Sequence, residues 1–259
     1  MRFNTVYTAT LMNVLILAAG YATRLYPLTL NKAKPLLDVA GKPMVAWVVE
    51  NLRGVAEIET IYIVTNAKFF ADFEAWAKNY QSANPNFPFK VINDGSSDDD
   101  NKLGAIGDIN LVLTRESAAD SDLLVIAGDN LFRESLAGFV DYARKTEATV
   151  GVHHVADGEA IKKYGVVTID TDGVITHFEE KPKEPKSSLA AIALYFYSKD
   201  VLPLFTTYIA AGNNPDQPGL FLQWLYPRKP VNTFQITGQW LDIGSKETLE
   251  EANKLFAER

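Results

Sequence analysis

Two unbroken apolar runs, at residues 13–18 (NVLILA) and 123–127 (LLVIA), constrain this chain most. A strand with one wet face alternates apolar and polar residues. An unbroken run belongs to a strand covered on both faces, as in a parallel sheet layered between helices. Residues 60–65 (TIYIVT) and 89–92 read as further strands. Helical spacing appears at 43–52, which opens on a proline, at 69–80 through Phe69, Phe73, Trp76 and Tyr80, and at 103–113. Alternation of this kind predicts an α/β fold with a doubly wound, mostly parallel sheet.

From residue 149 the pattern changes to short β segments at 149–155, 165–169, 174–178 and 190–197, with Asp172-Gly173 as a hairpin turn. Helices near 199–211 and 220–226, a strand at 232–236 and a last helix from Ser245 follow. We expect a single domain over 12–259, with a strictly alternating half at about 12–148 and a β-rich half at about 149–259 that extends the sheet as a lid. Residues 1–11 carry neither core pattern nor motif. Met12 stands directly before the first strand, so 1–11 reads as a leader of doubtful origin.

Composition removes several functional classes. Cysteine is absent, which excludes disulfides, thiolate nucleophiles and thiolate metal sites. Only His153, His154 and His177 could supply imidazole, so an oxygen-ligated metal fits better than a histidine-rich one. A net charge of −7 opposes nucleic-acid binding and leaves an anionic substrate dependent on local cations or a metal. No apolar run approaches the ~20 residues of a membrane helix. A cytoplasmic protein without a membrane partner is expected; its assembly state is left open.

Open α/β sheets bind ligands beyond the carboxyl ends of their strands. After the first strand comes Ala18-Ala19-Gly20-Tyr21-Ala22-Thr23-Arg24-Leu25-Tyr26-Pro27-Leu28-Thr29, then Lys32-Ala33-Lys34-Pro35-Leu36. This is neither a Walker loop nor a dinucleotide fingerprint, because the required Gly-Lys-Ser/Thr and paired glycines are missing. On residues alone it is either a long surface connection or a phosphate cradle. The concentration of Arg24, Lys32 and Lys34 favours the cradle, since long loops without function are uncommon.

The stretch resembles the nucleotide-binding motif of the sugar-phosphate nucleotidyltransferases, the family that includes glucose-1-phosphate thymidylyltransferase. Matches fall at Leu17, Ala18, Gly20, Thr23, Arg24, Leu25, Pro27, Leu28, Thr29, Lys34, Pro35 and Leu36; Ala19 and Ala22 stand where glycine is usual. The resemblance implies a Rossmann-like sheet of the nucleotide-diphospho-sugar transferase type with a sugar-binding second half. It further implies transfer of a nucleotide from a nucleoside triphosphate to a sugar 1-phosphate, with release of pyrophosphate. Arg24 and Lys34 become the catalytic cations, and Leu17, Ala19 and Gly20 line the nucleotide.

Gly128-Asp129-Asn130 and Trp240-Leu241-Asp242-Ile243-Gly244 resemble the family's metal elements, implying Mg²⁺ on Asp129 and Asp242. On spacing alone, each aspartate would read as a turn or helix cap. Glu180 and Lys181 match the family's E-E-K-P element on the sugar side, with Gly165, Asn130 and Tyr195 as further carry-overs; Tyr195 reads equally as a core aromatic. The base should meet 91–104, where Asn93 and Gly104 are the candidates, although the family's Q-P-x-P pattern is replaced there. The acidic run Asp98–Asp100 reads as a solvated loop.

Thymidylyl transfer to glucose 1-phosphate is thus the leading expectation. UTP, CTP or GTP with an amino-sugar phosphate or phosphocholine is the same chemistry on other substrates. A catalytically silent binding homologue would be expected to lack one of Arg24, Lys34, Asp129 and Asp242. A glycosyltransferase with a similar sheet would be expected to lack the T-R-L and K-P-L elements.

Overall fold

The first apolar run becomes β1 (Met12–Leu17) at the heart of the sheet. In this computed structural model, which describes residues 11–257, β1 is followed by a long connection. That connection holds two 3-10 turns, Thr23–Leu25 and Lys34–Leu36, and the hairpin β2 (Asp38–Val39) and β3 (Lys42–Pro43). The first half continues with α1 (Met44–Glu50), β4 (Ile58–Thr65), α2 (Phe70–Ala83), β5 (Phe89–Asn93), α3 (Ala105–Arg115), β6 (Asp122–Ala127), β7 (Asn130–Phe132) and α4 (Ala137–Ala143). Then come β8 (Ala148–His154), β9 (Gly165–Ile169), β10 (Ile175–Glu180), β11 (Leu189–Tyr197), α5 (Pro203–Ala210), α6 (Pro218–Leu225), β12 (Asn232–Gln235), β13 (Trp240–Asp242) and α7 (Lys246–Ala257).

Strands β5, β4, β1 and β6 lie side by side and parallel, in that order. The chain winds outward from β1 through β4 to β5, then returns to lay β6 on the other side of β1. The crevice of such a sheet opens where the winding reverses, at the ends of β1 and β6. Successive residues of β1 explain its unbroken apolar run. Val14 and Ile16 join a core with Trp47 and Phe256, whereas Leu15 joins a second core with Ile109, Phe205 and Phe221.

Strand β11 runs antiparallel to β6 and holds the halves together. Along one edge, Leu194–Tyr197 pair with β6 and Leu189–Ala191 pair with β9; along the other edge β11 pairs with β8, which carries β12. The sheet therefore forks at Ile192 and Ala193, where the ladder is interrupted. Beyond the fork, β9 and β10 form the expected hairpin through Asp172 and Gly173, whose φ is +77°.

The second half thus continues the sheet. The leader expectation for residues 1–11 lies outside the described residues, apart from Leu11. No helix among the described residues is long and apolar enough to cross a membrane.

Candidate active site

Two aspartates far apart in sequence meet because of two very short strands. At the end of β6, Gly128 N–H donates to Leu17 O at 2.9 Å, fastening the exit of β6 to that of β1. A β-carbon on Gly128 would lie 3.0 Å from both Leu17 O and Pro35 Cγ, so the close approach favours glycine. Asp129 comes next. Strand β7 then pairs antiparallel with β13, setting Asn130 opposite Asp242, and Ile243 N–H donates to Asp129 O at 3.2 Å.

Hydrogen bonds hold this junction from three sides. Lys34 Nζ donates to Asp129 Oδ2 at 2.6 Å, and Asn130 Nδ2 donates to Asp129 Oδ1 at 3.0 Å. Trp240 Nε1 donates to Asn130 Oδ1 at 2.7 Å, which fixes the orientation of that amide. Burial opposes ionisation of Asp129, but the Lys34 ammonium and these bonds hold its carboxyl below the usual range. Asp242 goes the other way. Burial, then the neighbouring Asp129 charge, push it up to about 6 against Lys34, Lys181 and Arg24.

The cations come from separate elements. Lys34 opens its 3-10 turn, with Pro35 buried behind it. Arg24 sits in the other turn, after Ala22 at φ +49°, whose carbonyl accepts the Thr29 hydroxyl at 2.8 Å. The Arg24 side chain is exposed and has no protein partner among the described residues, yet its charge reaches Asp242. Lys181 follows β10 with φ +49°, and its N–H donates to Tyr164 O at 3.1 Å. A left-handed lysine is uncommon and here aims the residue into the cleft. Lys32 pairs instead with exposed Asp38 at 3.5 Å and takes no part.

Two cavities flank the junction. The larger, about 490 Å³, runs from Leu17, Ala19, Gly20 and Tyr21 at the first loop to Asp94, Gly104 and Asp108 at its far end. The smaller, about 140 Å³, is lined by Gly165, Glu180, Tyr195, Gln217 and Gly219. Asn130, Lys181, Ala193, Pro218 and Asp242 form the shared wall, located at the fork of the sheet. The cleft and the pocket thus meet at Asp242, with Asp129 on the cleft side.

The smaller pocket is shaped by glycines. A β-carbon on Gly219 would lie 1.8 Å from Glu180 Oε2, and one on Gly165 would lie 2.5 Å from Phe178 Cζ and 3.0 Å from Glu180 Oε2. Gly165 therefore seats Phe178 and Glu180. Burial raises the pKa of Glu180, partly offset by Lys181. Tyr195 is buried and stacks on Tyr197, with burial, then Glu180, raising its hydroxyl pKa.

Most sequence-predicted residues line one or both cavities; Lys34 reaches the site through Asp129, Arg24 stands at the exposed rim, and neither they nor Asn93 line a cavity. Asn93 Oδ1 accepts Gly95 N–H at 2.8 Å in a turn, and Asp94 faces the cleft instead. Asp94, Asp108, Gln217 and Gly219 escaped the sequence reading. Asp108 had a signal, a carboxylate on the apolar stripe of α3; Gln217, whose buried Oε1 has no partner among the described residues, had none.

The donor set fits a hard divalent ion. Among the described residues no third carboxylate or imidazole completes a cluster with Asp129 and Asp242. Mg²⁺ takes one or two carboxylates and fills its octahedron with phosphate oxygens and water. Burial and, after it, the Asp129 charge raise Asp242, and a cation between the two carboxylates would oppose both effects.

The family profile described as Nucleotidyl transferase matches residues 13–259. The chain is 28% identical over 248 residues to the Bifunctional protein GlmU of Methanocaldococcus jannaschii, covering 96% of this chain and 55% of that protein. It is 25% identical to the UTP–glucose-1-phosphate uridylyltransferase AglF of Haloferax volcanii, covering 95% of this chain and 97% of that one. A crystal structure from Bacillus anthracis, described as a glucose-1-phosphate thymidylyltransferase with a sucrose, superposes with a TM-score of 0.78 at 27% identity, covering 96% of both chains. The chain spans about half the length of several curated relatives it matches, 55% for the GlmU protein. A profile match over almost the whole length, on a fold whose crevice gathers the family's charged residues, shows that this chain belongs to the nucleotidyl transferase family.

Proposed function

We propose that the protein transfers a nucleotidyl group from a nucleoside triphosphate to a sugar 1-phosphate, the reaction of glucose-1-phosphate thymidylyltransferases, in a cytoplasmic setting. The observation that carries this reading is the shared wall. Asp242 and Lys181 lie on the wall between the larger cleft and the smaller pocket, Asp129 lines the cleft next to them, and Lys34 is bonded to Asp129, which is where two phosphates would have to react.

A phosphate oxygen of the sugar 1-phosphate forms a bond to the α-phosphorus of the triphosphate. The bond from that phosphorus to the bridging oxygen breaks, and pyrophosphate leaves with the electron pair. The nucleophile is already anionic, so no general base is required; positioning and charge stabilisation make up the catalysis.

Leu17, Ala19, Gly20 and Gly104 flank the nucleotide. Arg24 grips the triphosphate and the departing pyrophosphate, and Lys34 steadies the transferring phosphoryl group. Lys181 holds the sugar phosphate. Glu180 accepts from sugar hydroxyls beside Tyr195, with Asn130 and Gly165 completing that pocket. Asp129 and Asp242 would hold Mg²⁺, which when bound neutralises phosphate charge.

A silent homologue is disfavoured because all four charged positions of the family's machinery are present and placed together. The test is pyrophosphate release with each nucleoside triphosphate against a panel of sugar 1-phosphates, amino-sugar phosphates and phosphocholine. Release that depends on both substrates supports the reading; no release with any pair defeats it.

A further inference from the structure

Asp129 is held in place through a neighbour that is itself held. Strand β13 carries Trp240 and Asp242 two residues apart, which puts both on one face of the β7–β13 ribbon, and Asn130 of β7 stands opposite Asp242 on that face. Asn130 is only 4% exposed, so its amide has little access to water. Its Oδ1 accepts the Trp240 indole N–H at 2.7 Å, and its Nδ2 donates to Asp129 Oδ1 at 3.0 Å. Lys34 Nζ takes the other carboxylate oxygen at 2.6 Å.

The polarity of these bonds has one solution. An indole nitrogen only donates, and a carboxylate only accepts. The amide between them must therefore turn its oxygen to Trp240 and its nitrogen to Asp129. Without the indole N–H, Asn130 Oδ1 would be left buried and unpaired, which is costly, and the amide would gain by rotating toward another donor. Asp129 Oδ1 would then lose the bond that sets the plane of its carboxylate.

Trp240 is steadied in turn by two rings from the second half of the chain. Tyr164 meets it edge-on with centroids 5.2 Å apart, and His153 lies at 5.5 Å, anchored by an Nδ1–H bond to Ile236 O at 2.9 Å. The indole lines the smaller pocket, Asn130 lines both cavities, and Asp129 lines only the larger cleft. The three side chains thus form a relay from one cavity to the other.

We infer that Trp240 is a positioning residue for nucleotidyl transfer: its indole N–H locks the Asn130 amide and, through it, the Asp129 carboxylate in the orientation the reaction needs. The inference rests on the proposed reaction for the task it gives Asp129, and on the hydrogen bonds alone for the relay. A small misplacement of a group at the reacting centre lowers turnover more than it lowers binding. If Trp240 were only a wall of the smaller pocket, its loss would act on affinity for the sugar 1-phosphate. The two roles therefore separate in which constant moves.

Trp240→Phe tests it, because an aromatic ring stays against Tyr164 and His153 while the donor is lost. It should lower kcat about tenfold or more and leave KM for the sugar 1-phosphate within about threefold. A double-mutant cycle with Asn130→Leu asks whether Trp240 acts through the amide. In the Asn130→Leu background, Trp240→Phe should lower kcat by no more than about a further twofold. NMR on the protein without metal or nucleotide gives a readout free of turnover. The Trp240 indole proton and the Asn130 amide protons should be protected from exchange with solvent, and in Trp240→Phe the Asn130 protons should exchange about tenfold or more faster. An unchanged kcat, a loss confined to KM for the sugar 1-phosphate, independent losses in the cycle, or unchanged amide exchange would each overturn the inference. Rapid exchange of these protons in the unaltered protein would do so even if the variant folds poorly. If the unaltered protein releases no pyrophosphate with any substrate pair, the proposed reaction fails, and the relay stands or falls on the exchange measurement alone.

Discussion

Charge alone does not distinguish Arg24 from Lys34, but position does. Lys34 is already pinned at 2.6 Å to Asp129, which lines the larger cleft. Arg24 projects from the rim with its fork unengaged. Arg24→Lys should therefore raise KM for the triphosphate despite conserving charge, because an ammonium cannot grip two phosphate oxygens at once. Lys34→Ala should instead lower kcat by about 10²–10³ with a smaller change in nucleotide Kd. Steady-state kinetics beside calorimetry separates the two; equal, small affinity losses with intact kcat would reduce the loop to a general anion attractor. Gly219→Ala is a third case. Its new methyl would occupy the place of Glu180 Oε2, 1.8 Å away. The glutamate can swing aside, so the fold should survive while KM for the sugar 1-phosphate rises about tenfold or more. An unchanged KM would take Glu180 out of the sugar pocket.

At the level of elements, the site depends on pieces that periodicity cannot detect. The apolar runs and helical spacings were enough to place β1, β4, β5, β6 and the helices around them, because long two-sided burial leaves a long signature. Strands β7 and β13 have three residues each, too few to show a period, so the meeting of the aspartates was legible only through the motif resemblance and not from the pattern of the chain. Turn chemistry explains why Asn93 lies off the cleft that Asp94 lines. An asparagine side chain closes a turn onto a following N–H as readily as it reads a base, and here it does the former. The junction of α3 with the loop before α6 was equally hidden. Gly104 sits there at φ +77°, where a β-carbon would lie 2.6 Å from Pro215 O. Gly104→Ala should cost about 2–4 kcal/mol, from left-handed strain plus a backbone clash, measured by urea unfolding. A loss below about 0.5 kcal/mol would mean that the junction gives way freely.

The molecule as a whole should show the Asp108 carboxyl in its pH dependence. Its folded pKa of about 8 lies above the unfolded value of 3.8. The native state keeps a proton that the unfolded chain releases, so stability is full below about pH 4 and declines as pH rises towards 8. Relative to Asp108→Asn, the unaltered protein should lose stability on the order of several kcal/mol across that window. Parallel slopes for the two proteins in denaturant titrations from pH 5 to 8 would show that Asp108 ionises normally.

The contact between Lys34 and Asp129 has a further consequence at this scale. Lys34, in the connection after β1, already supplies the counter-charge that Asp129 needs, so that carboxylate does not wait on a metal to be held in place. Chelation by EDTA should accordingly abolish turnover yet leave Tm within about 2 °C, unlike domains whose folding is driven by a structural metal. Free Mg²⁺ at millimolar concentration should likewise move Tm little, whereas Mg²⁺ together with a nucleoside triphosphate should raise it clearly. Ion and nucleotide would then arrive as a single particle, and the cell's pool of metal-complexed triphosphate, rather than of free metal, would set how much of the enzyme is ready to react.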